Sequence, residues 1–271
     1  MTTTARAEPA PLPPLSVPDA LRPWIAQIAT VTGGESVAHT PDTATKLVVR
    51  VGEDGRRDAL VVGPRTRASY HRAGAERLAS CVQLHLAPGT ARPLLGVAAA
   101  DLVGRVVPLR ELPTRTARQL SYAAAVLETD ELIDRLAHTL ARLPLPDSRG
   151  RLLRAAVDAL SIRADRIPGQ VKDVARELAV SERQLRNLFA EGVGLSPKHY
   201  ARIDRVRAVL AQAPTAKWAD LAATTGYYDQ AHMTSDFRTL MGVPPRSFFT
   251  GRLPEARPCQ AFDRLSTRPA G

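Results

Sequence analysis

Two stretches between positions 171 and 249 repeat one pattern, and that pattern limits the fold more than any other feature of the chain. The first runs Val171-Lys-Asp-Val-Ala-Arg-Glu-Leu-Ala, then Ser181, Leu185 and Phe189, then Gly194-Leu-Ser-Pro-Lys-His-Tyr200. The second runs Trp218-Ala-Asp-Leu-Ala-Ala-Thr-Thr-Gly, then Asp229, Met233 and Phe237, then Gly242-Val-Pro-Pro-Arg-Ser-Phe248. From Phe189 and Phe237 onward the copies stay in register through Gly194 and Gly242 to Tyr200 and Phe248. Such a repeat is one supersecondary unit used twice. Here the unit reads as helix, short turn, helix, which makes DNA binding the leading expectation.

In the first copy, Val171, Val174, Ala175, Leu178 and Ala179 form the apolar stripe of a short supporting helix. Ser181 is a good N-cap, and Gln184 three residues on completes a capping box. The helix it opens turns Leu185, Leu188 and Phe189 inward and leaves Arg183, Arg186, Asn187 and Ala190 along the opposite face. Arginine can grip guanine O6 and N7 with two donors, and asparagine can do the same for adenine. The second copy keeps the frame: Asp229 caps, while Met233 and Phe237 face inward. Its outer face carries Ala231, Thr234, Ser235 and Arg238, with Gln230 at the entrance and His232 toward the side. These side chains have less reach, so the copies should contribute unequally, the first by base reading and the second by position and weaker contacts. The bland alternative is a pair of solvated faces. Tyr227 and Tyr228 are expected to pack the turn before the second helix. Between the copies, Pro197 opens a helix to about position 212, a stiff spacer of roughly 20 Å. Two recognition helices on one body would enter successive major grooves about 34 Å apart, with some bending of the duplex.

The formal charge of +10 supports this reading through its distribution. Positions 147–252 hold 17 Lys and Arg against 11 Asp and Glu, whereas 1–146 hold 17 against 14. The surplus is densest around the repeat, as expected of a surface that follows phosphates; a basic solvated surface is the alternative. Two cysteines, Cys81 and Cys259, exclude a disulfide framework and a multi-cysteine zinc site. Cys81 reads as packed rather than reactive. His39, His71, His85 and His138 show no ligand spacing, so no metal or cofactor is expected. No apolar run approaches the length of a membrane span, and 1–23 lacks the basic start and apolar core of a signal peptide. The expectation is a soluble cytoplasmic protein.

The prolines at 9, 11, 13, 14 and 18 make 1–21 read as a flexible arm, and 22–28 as a short apolar anchor around Trp24 and Ile25. Lys46-Leu-Val-Val-Arg-Val51 and Ala59-Leu-Val-Val-Gly63 flank the turn Gly52-Glu-Asp-Gly55, a hairpin signal. Further strands are expected at 68–72, 78–87 and 105–109, with a short helix between 94 and 103. Leucines and alanines at helical spacing across 112–143 predict one helix or two, packed on the strands or against a second copy of the chain. Pro144-Leu-Pro146 ends that segment, and a helix restarts at Asp147. The expected fold class is α+β: a β-rich domain over 22–111, a helical connector over 112–146, an all-α domain with two helix-turn-helix units joined by a linker helix over 147–252, and a flexible tail over 253–271.

Residues 150–250 resemble the C-terminal DNA-binding domain of the AraC/XylS family of bacterial transcription regulators. The resemblance rests on Ala175 with Ser181, Leu185 and Phe189, on Gly194-Leu-Ser-Pro197, and above all on Gly226-Tyr-Tyr-Asp-Gln-Ala-His-Met with Phe237 and Gly242-Val-Pro-Pro245. It implies seven helices carrying two helix-turn-helix units. It implies base contacts at Arg183, Arg186 and Asn187 in the first unit, and at Gln230, Ala231, Thr234 and Ser235 in the second; Gln184 and Arg238 complete the expected DNA-facing set. The sequence departs from the family at Ser235, where arginine is frequent, which removes a guanine-gripping group from the second unit. More loosely, Val61-Val-Gly-Pro64, Leu86-Ala-Pro-Gly-Thr90 and Val106-Val-Pro-Leu109 resemble a β-rich domain found ahead of this DNA-binding domain in one family branch. Sensing a small-molecule effector, dimerising as a homodimer, or both are the roles that resemblance allows.

The implied partner is double-stranded DNA, with RNA polymerase, a small-molecule effector and a second copy of the chain left open, and no membrane. One alternative is a regulator whose N-terminal domain only binds protein partners. Another is a DNA-modifying or repair enzyme targeted by this domain. That would need a zinc-bound cysteine set with a reactive cysteine, or a Gly-x-Ser-x-Gly elbow, and the sequence holds none of these.

Overall fold

The β-branched runs of the first half assemble into one antiparallel sheet. The computed structural model describes residues 15–32, 36–72, 78–145, 147–163, 168–213 and 218–258. In it β1 (Ile25–Thr32) and β2 (Ser36–His39) precede the expected hairpin of β3 (Lys46–Gly52) and β4 (Arg57–Val62). Then come β5 (Ser69–Arg72), β6 (Leu78–Leu86) and β7 (Val106–Pro108). Five of these form a sheet of order β1-β6-β3-β4-β7 with antiparallel neighbours. Period-two alternation puts Leu47, Val49, Ala59, Val61, Val82 and Leu84 on one face. There they share a core with Leu94, Leu102, Leu120, Leu132 and Leu136, from α1 (Ala91–Leu95), α2 (Ala99–Leu102), α3 (Arg115–Val126) and α4 (Thr129–Leu140).

Two expectations for this half are corrected. The helical segment expected over 112–146 holds two helices, α3 and α4, that pack on the sheet, one of the two placements expected for it; Arg57 holds the joint between them by donating to the Leu127 carbonyl at 2.6 Å. Residues 15–21 of the expected arm are docked: Leu15 N donates to Ile28 O, Asp19–Leu21 form a 3-10 turn, and Leu21 is fully buried. Pro18 sits at the N-cap of that turn, where a missing N–H costs nothing. Residues 1–14 lie outside the described residues. The expected anchor at 22–28 belongs in part to β1, whose alternation is muted by Ala26 and Ala29 and becomes a strand through pairing with β6.

Among the described residues, the second half is helical from Ser148 to Phe249. In order it contains α5 (Ser148–Leu160), α6 (Val171–Glu177), α7 (Glu182–Gly192), α8 (Pro197–Gln212), α9 (Trp218–Thr224), α10 (Gln230–Met241) and α11 (Pro245–Phe249), the seven helices the resemblance implies. The repeat is structural as well as sequential. Phe189 meets Tyr200 edge-on at 5.6 Å, and Phe237 meets Phe248 edge-on at 5.8 Å, both at 71°. Each such pair adds about 0.5–1.5 kcal/mol beyond its buried area. The helix-turn-helix turns also match. Ala179 and Gly226 both take positive φ, at 53° and 71°, and the next N–H returns to Ala175 O and Ala222 O, closing the preceding helix in the Schellman manner.

The two halves are not separate bodies strung on a linker. A second sheet, of order β2-β5-β8, joins β5 in parallel to β8 (Arg257–Pro258), so part of the expected flexible tail is a strand. Cys259 and the rest of the tail lie outside the described residues. Ala38, Ala68 and Tyr70 of the first half pack into the helical core beside Met241 and Leu240. Among the described residues no helix is long and apolar enough to cross a membrane.

Candidate nucleic-acid interface

The second helix of the first unit, α7, begins where its sequence says it should. Ser181 Oγ accepts from Gln184 N at 3.1 Å, and Gln184 Oε1 accepts from Ser181 N at 2.8 Å. Two of the four N–H groups a helix start leaves unpaired are thereby satisfied. Leu185 and Phe189 are fully buried and Leu188 nearly so, which forces Arg183, Arg186, Asn187 and Ala190 outward, all exposed. Arg183 and Arg186 have no ion-pair partner among the described residues, so their charge is uncompensated on the protein side. Gln184 differs from them: its amide oxygen is committed to the cap, leaving only its NH2 to act outward. Gln184 and Asn187 border a groove of about 320 Å³ shared with Ser148, Arg149 and Leu152 of α5, which places them on one flank of the helix.

The second helix of the second unit, α10, is capped by Asp229 Oδ1, which accepts from His232 N at 2.7 Å. Met233 and Phe237 are fully buried; Gln230, Ala231, Ser235 and Arg238 are exposed and Thr234 is half-buried. His232 is turned aside, edge-on to the Tyr227 ring at 5.2 Å. Tyr227 is buried and carries Arg205 over its ring at 5.1 Å. Tyr228, also expected to pack, is instead 93% exposed beside the cap. The turn before α10 is one residue longer than that before α7, so only one of the two tyrosines can reach the core.

The linker helix α8 joins the two units rigidly. Ser196 caps it and Pro197 sits in its first turn, and Ile203, Val206 and Val209 are fully buried. Arg202 on α8 donates through Nε and Nη2 to Asp236 Oδ1 on α10, at 3.0 and 2.7 Å. The expected DNA-facing residues therefore fall into two exposed groups, on α7 and α10, with α8 and its ion pair fixing one relative to the other. Two cations were not singled out from sequence. Lys198 and Arg246 stand four residues after Gly194 and Gly242, both exposed. The register of the repeat, which pairs them, was the signal that could have found them.

Both α7 and α10 are also held at their far ends by the first half of the chain. Gly89 N donates to Gly192 O of α7 at 3.0 Å. Ala68 N donates to Leu240 O, and the Tyr70 hydroxyl to Met241 O at 2.6 Å, both at the end of α10. Last-turn carbonyls lack partners within a helix, and here the β-rich half supplies them. Gly194, just past α7, has φ 86° and the Ala99 carbonyl of α2 only 2.7 Å from where a Cβ would stand. The His39 and His71 rings lie tilted against each other at 5.6 Å, but no cluster with metal-ligand geometry occurs among the described residues.

Residues 174–251 match a protein family described as a helix-turn-helix domain. No protein of curated function matches the chain. Among solved structures, ToxT from Vibrio cholerae O395 is 10% identical with a TM-score of 0.40, over 83% of this chain and 96% of its own. Apo ToxT from V. cholerae strain SCE256 gives 10% and 0.40 over 82% and 95%. The AraC-like transcriptional activator CuxR gives 16% and 0.20 over 73% and 81%. Both units and their linker helix α8 lie within or across the segment that matches the helix-turn-helix domain, so the C-terminal part of this chain is similar to that domain in sequence as well as in its helices.

Proposed function

We propose that the chain is a sequence-specific transcription regulator that lays α7 and α10 into successive major grooves of a promoter site, with the β-rich half governing how the two helices are presented. The observation that carries this reading is the exposed, uncompensated face of Arg183, Arg186 and Asn187 on a capped helix whose far end the other half of the chain holds. In this reading Arg183 and Arg186 contact bases, preferably guanine, and Asn187 contacts adenine. Gln230, Ala231, Thr234, Ser235 and Arg238 position α10 with shorter-range contacts. Lys198 and Arg246 contact phosphates, and exposed Tyr228 lies against the backbone beside them.

The test begins with selecting duplexes from a random pool with the full chain. On the selected site, Arg186→Ala should lose about 1–3 kcal/mol of affinity, roughly 5- to 150-fold, while binding to random duplex stays within about twofold. Equal loss on both would make Arg186 a phosphate contact. Failure to enrich any sequence would sink the specific-regulator reading. Lys198→Ala should weaken all duplexes alike and lower the salt slope by about one.

A further inference from the structure

Where the two halves meet they leave a cleft of about 310 Å³, outside the core of the sheet. One wall comes from the 42–45 loop and the end of β6, the other from α8 and the end of α7. Clefts of this size at domain junctions, with polar groups that converge on them, are a usual setting for small-molecule sites. Its polar groups include Asp42, Thr43, His85, Tyr200, Asp204 and Arg207.

Their charges are arranged in two poles. Asp42, 4% exposed, has Lys46 Nζ 2.5 Å and Arg207 Nη1 3.3 Å from the same oxygen. At this pole one carboxylate faces two cations, and Arg207 also acts on the Asp204 carboxyl at the other pole. Arg207 spends only Nη1 on this contact and on Pro41 O, so Nε and Nη2 have no partner among the described residues. Three residues earlier on α8, Asp204 accepts from Ile162 N through Oδ2 at 2.7 Å, and its Oδ1 has no partner among the described residues. Burial raises the Asp204 carboxyl, and burial with neighbouring Lys46 lowers His85 to about 4 and keeps it neutral. Perturbed titrating groups gathered around one cavity are a mark of functional sites.

We propose that this cleft binds a small organic acid that also carries a hydroxyl or ammonium group, its carboxylate on Arg207 and its donor on Asp204. Gly192, whose carbonyl takes the Gly89 hydrogen bond, lines the same cleft. An occupant therefore touches the contact that holds the end of α7 and the helix that links the two DNA-binding units. The site deepens the regulator reading and rests on it only for its consequence, since binding is measured without DNA.

The experiment uses the full chain and a panel of the proteinogenic amino acids with lactate, glycerate and malate. At least one should raise Tm by roughly 3–5 °C at ten times its Kd. That shift should vanish in Ala26→Trp, which fills the cleft from its exposed edge, and Kd should rise at least tenfold in Asp204→Asn. No shift with any member, or the same shift in Ala26→Trp, overturns the proposal. Asp204→Asn and Arg207→Gln keep the question answerable if the tryptophan variant does not fold. Binding that leaves affinity for the selected duplex unchanged would uphold the site and remove its regulatory role.

Discussion

Removing the Asp236 carboxylate should loosen the tie between the linker helix and the second recognition helix. Asp236 is 7% exposed, and its Oδ1 accepts both bonds from Arg202. Hydrogen bonds to charged groups contribute about 1.5–3 kcal/mol each, but these two share one acceptor. The Arg202 side chain is 28% exposed, so water recovers part of its solvation once the partner is gone. Asp236→Ala should therefore cost about 2–3 kcal/mol, below the 3–5 kcal/mol of a fully buried pair broken on one side. Asp236→Asn keeps an acceptor at Oδ1 and loses only the charge, so about 1–1.5 kcal/mol follows from the same bond energies. Urea unfolding can be followed from each half in single-tryptophan variants, since Trp24 lies in the β-rich half and Trp218 on α9. The loss should appear in the Trp218 transition. Affinity for the selected duplex should fall with it, because Thr234 and Ser235 ride on the loosened helix. A cost under about 1 kcal/mol for alanine, or equal costs for alanine and asparagine, would refute the argument that this charged contact fixes α10.

Two further predictions concern the junction of the halves. Gly194→Ala meets both a left-handed backbone and the Ala99 carbonyl, so it should destabilise by about 2–4 kcal/mol and expose the junction to limited proteolysis; a stable, protease-resistant variant would contradict it. His39 and His85 lie at about 3 and about 4, lowered first by burial and then by Arg65 and Lys46 respectively. Both are neutral when folded and take up protons when unfolded below about pH 6.5. Stability should therefore fall as pH drops from about 6.5 toward 4, by roughly 1.4 kcal/mol per pH unit for each histidine. Urea midpoints across that range should show a slope that His85→Gln reduces by about half, and an unchanged slope would refute the assignment.

The junction gives the regulator reading a physical handle. Asp42 illustrates it: burial alone would raise its carboxyl, yet Lys46, Arg207 and His85 together hold it well below the ordinary carboxylate range. It stays charged where Arg207 of the linker helix needs it. The β-rich half thus grips α8 by charge, and α7 and α10 by their terminal carbonyls. Any change in that half has a short route to α7 and α10.

What the amino-acid sequence determines by itself is the DNA-binding unit down to its caps. Ser181 with Gln184, Asp229, the inward Phe189 and Phe237 and the outward Arg183 and Arg186 are all set by interactions within a few residues. Helical period and capping are local physics, so they can be read from one strand of text. The hairpin of β3 and β4 is legible for the same reason. What only the tertiary structure decides depends on partners far apart in the chain. β1 becomes a strand because β6 pairs with it, and Leu21 leaves the expected arm because a core awaits it. Tyr227 and Tyr228, identical in sequence, part company because a single position in the turn reaches the core. The grip on the recognition helices joins Tyr70 to Met241 across 171 residues, and the Asp42–Arg207 contact spans nearly as many. No local pattern encodes such contacts, because each side is satisfied equally well by water until the two halves are brought together.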